Sequence, residues 1–337
     1  MKEKPALPDK IIIAYLQNVY GVKISQAEFL PIGDVSSAKY RVVTEKQMAY
    51  FLKMRKDGFK EISVTVPHFL HEQGISQVIP PIKTIDGRLW THLDAYTCIL
   101  YPFSEGQNGF DDPLSDDQWI EFGAALKAVH SISLPLDLRR MVPSESFSPY
   151  WRERVKGFLV QAENNTYEDP LAAKMAASLQ EHRDEIRFMI RRAEDLAKVL
   201  QSRPLDRVLC HTDIHAGNLL LGANGALYLI DWDDPIMAPK ERDLMFVGGG
   251  IGGIWNTPGE EALFYPGYGR KDIDLTVLTY YRYERIVEDI AAFSDQLLVT
   301  TEGSADRERS LKKFYSIFFP GQVMEIAYRT DERLKNG

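Results

Sequence analysis

The chain is short of the features that mark secreted, membrane or nucleic-acid-binding proteins. It has only two cysteines, Cys98 and Cys210, far apart in sequence. They form no CxxC pair and are too few for a disulfide framework, so a reducing cytoplasm is the expected location. No uninterrupted apolar run reaches the ~18 residues of a membrane-spanning helix. Residues 1–9 carry no signal-peptide pattern, and no membrane association is expected. Positive charge is not in excess: 40 Lys and Arg against 48 Asp and Glu give a net charge of -8. That balance disfavours a nucleic-acid partner and is compatible with a cationic ligand. There is no internal repeat, no low-complexity tract and no sign of an obligate protein partner. The glycines at 248–250 and 252–253 follow no strand-to-helix GxGxxG frame, so they read as a turn.

What is present points to two domains, since 337 residues exceed one typical compact unit. Asp9 reads as an N-cap, with Ile12, Ile13, Leu16, Val19 and Tyr20 at helical spacing and Gly21 as the stop. Residues 29–43 read as two strands joined by the polar turn 33–37, and residues 49–54 as a strand carrying Lys53. A helix over 61–73 contains Pro67, so it either starts near Val66 or bends there. Residues 89–92 and 97–101 read as strands, and 102–113 as a linker. Ser115 and Gln118 form a capping box ahead of the apolar stripe Trp119, Phe122, Leu126 and Val129. Asp169-Pro170 opens a long helical stretch to about residue 200, and 273–298 is helical. One strand-rich segment, 207–231, interrupts the helices. The expected fold class is α+β, with a small β-rich part at 1–103 and a larger, mainly helical part at 104–337.

That interruption carries the chemistry. Asn224-Gly225 is a strong two-residue hairpin signal, because a type I′ turn needs positive φ at both central residues. If these two are the whole loop, Leu219 pairs with Ile230 and Asn218 with Asp231. A longer loop shifts this register. Directly opposed residues would place a carboxamide and a carboxylate side by side, and hard oxygen donors of this kind suit Mg²⁺. Asp213 lies just past the strand at 207–210, where a carboxylate can accept or orient a hydroxyl proton.

His211-Thr-Asp213-Ile-His-Ala-Gly-Asn218 resembles the kinase catalytic loop HxDxxxxN. More closely, it resembles the His-Gly/Ser-Asp-x-His-x-Gly-Asn form of the aminoglycoside phosphotransferase family. Ile230-Asp231-Trp232 is similar to that family's metal-binding segment, and Tyr50-Phe-Leu-Lys53 to its lysine strand. Leu126-Lys-Ala-Val-His130 is similar to its Leu-x-x-Leu-His helix. The stretches Asp231-Trp-Asp-Asp-Pro235, Ala238-Pro-Lys-Glu-Arg-Asp-Leu-Met-Phe246 and Tyr281-Arg-Tyr-Glu-Arg-Ile-Val-Glu-Asp289 resemble the spectinomycin phosphotransferases of bacteria.

The resemblance implies a two-lobed protein-kinase-like fold, with 1–103 as the nucleotide-binding lobe and 104–337 as the catalytic and substrate lobe. It implies ATP as co-substrate and Mg²⁺ as cofactor, with Asp213 catalytic and Asn218 and Asp231 holding the metal. Lys53 would contact the phosphates with Glu61 as its partner, or Glu72 in its place. Ser36 and Ser37 would supply donors in a phosphate loop that has one glycine where protein kinases have three. Residues 99–103, Tyr101 and Phe103 among them, would form the adenine hinge. The acceptor would be a hydroxyl on a small, cationic aminocyclitol or aminoglycoside, spectinomycin first. Asp233 and Asp234 would face metal or substrate. Glu284 and Glu288 form an acidic stripe with Asp289, facing either substrate or solvent. His130, His211 and His215 read as internal histidines and Asp243 as a brace.

Three other functions stand beside this one. A metabolite kinase for choline, homoserine or a sugar-like compound shares the architecture. A metal-dependent hydrolase built on His211, Asp213 and His215 leaves Asn218, Asp231 and Lys53 without a role. A nucleotide-binding pseudokinase conflicts with the intact Asp213, Asn218, Asp231 and Lys53.

Overall fold

The structure is a computed structural model that describes residues 4–32, 37–269, 272–300 and 304–336. In chain order the elements begin with α1 (Asp9–Tyr20), β1 (Ile24–Leu30), β2 (Ser37–Thr44), β3 (Ala49–Arg55), α2 (Ile62–Glu72), β4 (Thr91–Leu93), β5 (Tyr96–Pro102) and β6 (Gly106–Asn108). Helices follow: α3 (Asp116–Ser131), α4 (Leu136–Met141), α5 (Tyr150–Asn164), α6 (Pro170–Glu181) and α7 (Arg183–Gln201). Then come β7 (Val208–Cys210), β8 (Leu219–Gly222), β9 (Leu227–Leu229) and β10 (Ile236–Ala238). The chain closes with α8 (Glu241–Leu244), α9 (Pro258–Tyr268), α10 (Leu275–Ser294), α11 (Ser304–Ser316) and α12 (Val323–Asn336).

Contacts group the chain into two compact units. One unit comprises Met1–Leu114, Ser133–Val142 and Ala216–Pro235; the other comprises Ser115–Ile132, Pro143–His215 and Ile236–Gly337. The strand-rich stretch is therefore shared. The β8–β9 hairpin belongs to the first unit, while β7 pairs with β10 in the second.

The first unit is built on an antiparallel sheet of order β1-β2-β3-β5-β4. Side chains alternate across it with the period of two that strand geometry imposes. One face sends Tyr40, Leu52 and Leu100 into a core with Ile12 and Leu16 of α1. The register pairs Lys39 with Lys53 and Lys53 with Ile99, so the intervening positions carry Lys53 in mid-sheet. It is only 6% exposed. α2 starts at Ile62 and keeps Pro67 inside it, so the helix does not begin at Val66. The expected linker 102–113 is not wholly irregular: β6 lies within it and pairs with β8, Gln107 opposite Leu221.

The second unit packs α5, α7 and α12 around α10. α10 is buried along most of its length because Tyr280, Tyr283, Val287 and Ile290 fill successive turns. The helix expected at 170–200 is two helices, broken at His182. Asp169 caps the first, accepting from the N–H groups of Leu171 and Ala172. The Ser115–Gln118 capping box closes in both directions. α3 and α9 touch backbone to backbone. A Cβ at Gly123 would overlap the Phe264 carbonyl, and one at Gly267 would overlap that of Ile120.

Candidate active site

In the second unit, the loop after β7 is held from beneath by a buried carboxylate. Asp243 is fully buried and accepts the N–H groups of His211 at 2.8 Å and Thr212 at 2.7 Å. It also accepts His130 Nε2 at 3.0 Å, and His130 Nδ1 in turn takes the Tyr268 hydroxyl at 2.8 Å. Burial disfavours the Asp243 charge, but His130 and the loop N–H groups outweigh it and its pKa is lowered. His130, His211 and Asp243 are thus internal bracing groups. Thr212 sits at φ 78°, a conformation that β-branched residues rarely adopt.

This bracing turns Asp213 outward. The His211 ring, itself buried, accepts the Asp213 N–H at 3.3 Å through Nδ1. The Asp213 side chain is 43% exposed, with Oδ1 2.7 Å from Arg285 Nη1 and Oδ2 3.5 Å from His215 Nε2. Partial burial raises its pKa. Arg285 and His215 more than reverse this and hold it well below the usual carboxylate range. Asp213 is therefore an ionised, oriented acceptor. The histidines do not converge with it on a metal. Among the described residues, only His130, Cys210 and Asp243 bring three such donor atoms close together. There the Asp243 oxygens already hold N–H groups, and burial raises the Cys210 thiol, which donates to the Ala238 and Pro239 carbonyls.

In the first unit, Lys53 Nζ lies 2.6 Å from Asp231 Oδ1 and 2.9 Å from Asp233 Oδ1. Burial lowers the lysine pKa and the two carboxylates more than restore it, so it stays protonated. Neither Asp231 nor Asp233 is the glutamate expected beside Lys53. Glu61 is exposed at the start of α2, and Glu72 lies by His68 and Lys83. Asp233 also meets Arg55 at 2.6 Å, and Asp234 pairs with Lys60. Both acids expected to face metal or substrate hold the chain's own cations.

The hairpin register differs from the two-residue reading. Leu219 faces Leu229, not Ile230, and the loop is residues 223–225. Gly225 has φ 82° and supplies the left-handed residue of a three-residue turn. The Ile230 N–H therefore donates to the Asn218 carbonyl at 3.0 Å, moving Asp231 one residue past the expected pairing. Asp231 itself takes φ 66°. Trp232, buried behind it, donates its indole N–H to the Leu229 carbonyl at 3.0 Å and pins the segment. The Asn218 carboxamide and Asp231 carboxylate remain oxygen donors on one hairpin, and Asp231 already attracts a cation in Lys53.

Ser37 opens β2 and is buried, while Ser36 and the rest of the turn at 33–36 lie outside the described residues. Tyr101 pairs with Phe51 across β5 and β3, and burial raises its hydroxyl pKa. The Phe103 N–H is engaged by the Ala49 carbonyl at 3.2 Å.

The acidic stripe on α10 is not a solvated face. Glu284 pairs with the buried Arg152, and Glu288 Oε2 lies 3.7 Å from Arg242. Burial raises Glu284 to about 7, against the pull of Arg152. Arg285 bridges Asp289 at 3.0 Å and Asp213. Arg152, Arg242 and Arg285 were not singled out in the sequence. The one available signal was Arg285–Asp289 at i, i+4 spacing.

The family model for the phosphotransferase enzyme family, APH, matches residues 28–275. The chain belongs to that family. It is similar to the spectinomycin phosphotransferase APH(9)-Ia solved with ADP and spectinomycin, at 38% identity over 98% of this chain and 100% of that one, with a TM-score of 0.90. The AMP complex of the same enzyme matches at 39% identity over 97% and 100%, with a TM-score of 0.87. Choline kinase LicA from Streptococcus pneumoniae is 15% identical over 91% of this chain and 99% of that one, with a TM-score of 0.56, and shows the fold alone. The fold is kinase-like and the protein is a phosphotransferase. Among the described residues, no helix is long and apolar enough to cross a membrane.

Proposed function

We propose that the chain transfers the γ-phosphate of ATP to a hydroxyl of an aminocyclitol or aminoglycoside, with spectinomycin as the first candidate. The observation that carries this is the oriented, ionised Asp213, on a chain 38% identical over almost its whole length to a spectinomycin phosphotransferase. Asp213 accepts the hydrogen bond of the acceptor hydroxyl and aims its oxygen at the γ-phosphorus, taking the proton as the new O–P bond forms and the bond from that phosphorus to the bridging oxygen of ADP breaks, so that ADP leaves. Transfer of this kind depends on positioning and charge more than on covalent help from the protein.

Lys53 is the cation for the nucleotide phosphates. The pairs with Asp231 and Asp233 keep it charged and extended from mid-sheet. Asn218 and Asp231 fit Mg²⁺ through their oxygen donors, and a metal there would neutralise charge on the phosphates. Ser36, Ser37, Tyr101 and the 99–103 hinge belong to the nucleotide side of this reading. Glu284 pairs with Arg152 of α5 and Glu288 with Arg242 of α8, which makes them supports of the acceptor side rather than direct ligands for its amines.

The test is ADP release from Mg-ATP with spectinomycin, choline and a panel of amino sugars. Turnover with spectinomycin alone supports the reading. Turnover with choline or another metabolite alone would replace the substrate, and turnover with none would remove the acceptor class.

A further inference from the structure

Arg285 is held at more points than a surface ion pair needs. Its side chain is 16% exposed. Nε donates to Asp289 Oδ1 at 3.0 Å, one turn along α10, and Nη1 donates to Asp213 Oδ1 at 2.7 Å. The guanidinium lies over the Phe246 ring, 5.5 Å from its centroid. Phe246 also lies 6.3 Å from the His215 ring, so one aromatic residue backs both Arg285 and His215 beside the Asp213 carboxylate. Phe246 is three residues past Asp243 and bonds to its carbonyl, so the segment that braces the loop also backs the arginine.

The charges around this group are balanced but tight. Arg285 is flanked by Asp213 and Asp289, with Glu288 and Arg242 paired beside it. Burial lowers its basicity and these carboxylates more than restore it, so the guanidinium is a permanent donor. A rigid planar fork bridging two carboxylates fixes direction as well as charge, which a lysine ammonium does not. Exposed ion pairs contribute little to stability. A half-exposed carboxylate gripped by a nearly buried, stacked arginine is better explained by a need for orientation.

We propose that Arg285, locked by Asp289 and Phe246, is the positioning residue that sets the plane of the Asp213 carboxylate for the acceptor hydroxyl. The inference rests on the reading of Asp213 as the group that orients that hydroxyl. Arg285 acts through Asp213, so its removal lowers kcat and leaves the KM values for ATP and acceptor nearly unchanged.

The experiment compares Arg285→Gln, Arg285→Lys, Asp289→Asn, Asp213→Ala and the Asp213→Ala/Arg285→Gln double variant, using the acceptor that the wild-type enzyme phosphorylates. Active sites are counted by ATP binding and folding is checked by thermal melts. Arg285→Gln is expected to lower kcat by about 10- to 100-fold, the loss that follows when a reacting group is misplaced by about 1 Å. Arg285→Lys recovers part of that loss, and Asp289→Asn loses less than Arg285→Gln. In the Asp213→Ala background, Arg285→Gln adds less than about twofold, because groups acting as one unit are not additive. Wild-type kcat in Arg285→Gln, or the same loss in both backgrounds, overturns the inference. If Arg285→Gln does not fold, wild-type kcat in both Arg285→Lys and Asp289→Asn overturns it. Wild-type turnover in Asp213→Ala would instead remove the reading of Asp213 itself.

Discussion

Thr212 donates its backbone N–H to the fully buried carboxylate of Asp243 at 2.7 Å while holding φ at 78°. The left-handed region costs an ordinary L-residue about 1–2 kcal/mol. A hydrogen bond to a charged acceptor contributes about 1.5–3 kcal/mol, enough to offset that cost. Asp243→Ala would leave the His211 and Thr212 N–H groups and His130 without their common acceptor. It is expected to lower the free energy of unfolding by about 3 kcal/mol, of the order of one or two such bonds. It should also release the loop that carries Asp213. Urea titration and kcat measured together check this: an active variant of unchanged stability would contradict the bracing role.

Asp213→Ala removes the acceptor for the hydroxyl proton but touches none of the groups assigned to the nucleotide. Turnover is expected to fall by about 10²–10⁴-fold, the usual contribution of a positioned acid–base group. ATP affinity should change little. Isothermal titration with a non-hydrolysable ATP analogue, alongside the kinetic assay, separates the two effects.

Lys53→Met should raise the KM for ATP by about 10- to 100-fold, the loss of one charged contact of about 1.5–3 kcal/mol. It also leaves Asp231 and Asp233 without the buried ammonium between them. Affinity for a divalent ion in the absence of nucleotide should therefore rise, because a competing cation has gone. Mn²⁺ titration followed by electron paramagnetic resonance reads this directly. Unchanged KM for ATP would remove Lys53 from the nucleotide site.

Glu284 gives a pH signature. Its folded-state pKa of about 7 lies above the ordinary glutamate value of 4.5, because burial disfavours the charge. Between those values the native state holds more protons than the unfolded chain, so this group makes stability fall as pH rises from 4.5 to about 7. Glu284→Gln mimics the protonated form and should abolish that slope. The stability difference between variant and wild type is then expected to grow in favour of the variant by at most about 3 kcal/mol across the window. Guanidinium titrations at pH 5 and pH 8 would show it, and parallel curves for the two proteins would contradict it.

Local signals were legible where a residue's partner lies within a few positions. The capping pair Ser115 and Gln118 and the cap Asp169 are of this kind. The family was legible in the loop 211–218 because its residue types recur at fixed spacing, and the family match covers that loop. What escaped depends on distant partners. Lys53 and Asp231 are 178 residues apart, so a nearer glutamate looked like the natural partner. β6 is Gly-Gln-Asn, with no strand propensity of its own, and exists because β8 lies beside it. The hairpin register hinged on whether Asn224-Gly225 was a complete loop. A third residue, Ala223, joins the turn, and every pairing moves by one. On α10 the helical period located the acidic face, but only the folded chain shows Arg152 opposite Glu284.

The crossing of α3 and α9 reaches the chemistry through geometry alone. The last turn of α3 carries His130 and α9 ends with Tyr268, the two links behind Asp243. Gly123 and Gly267 set how near those helices come, since neither has room for a methyl group. An added methyl would drive the backbones apart and carry the histidine away from the carboxylate that shapes the loop. In a saturation screen scored by thermal stability and kcat, both glycines should thus tolerate substitution poorly, though both belong to the helix crossing rather than to the loop that carries Asp213. A map of essential positions would show a site that continues into the helix crossing behind it.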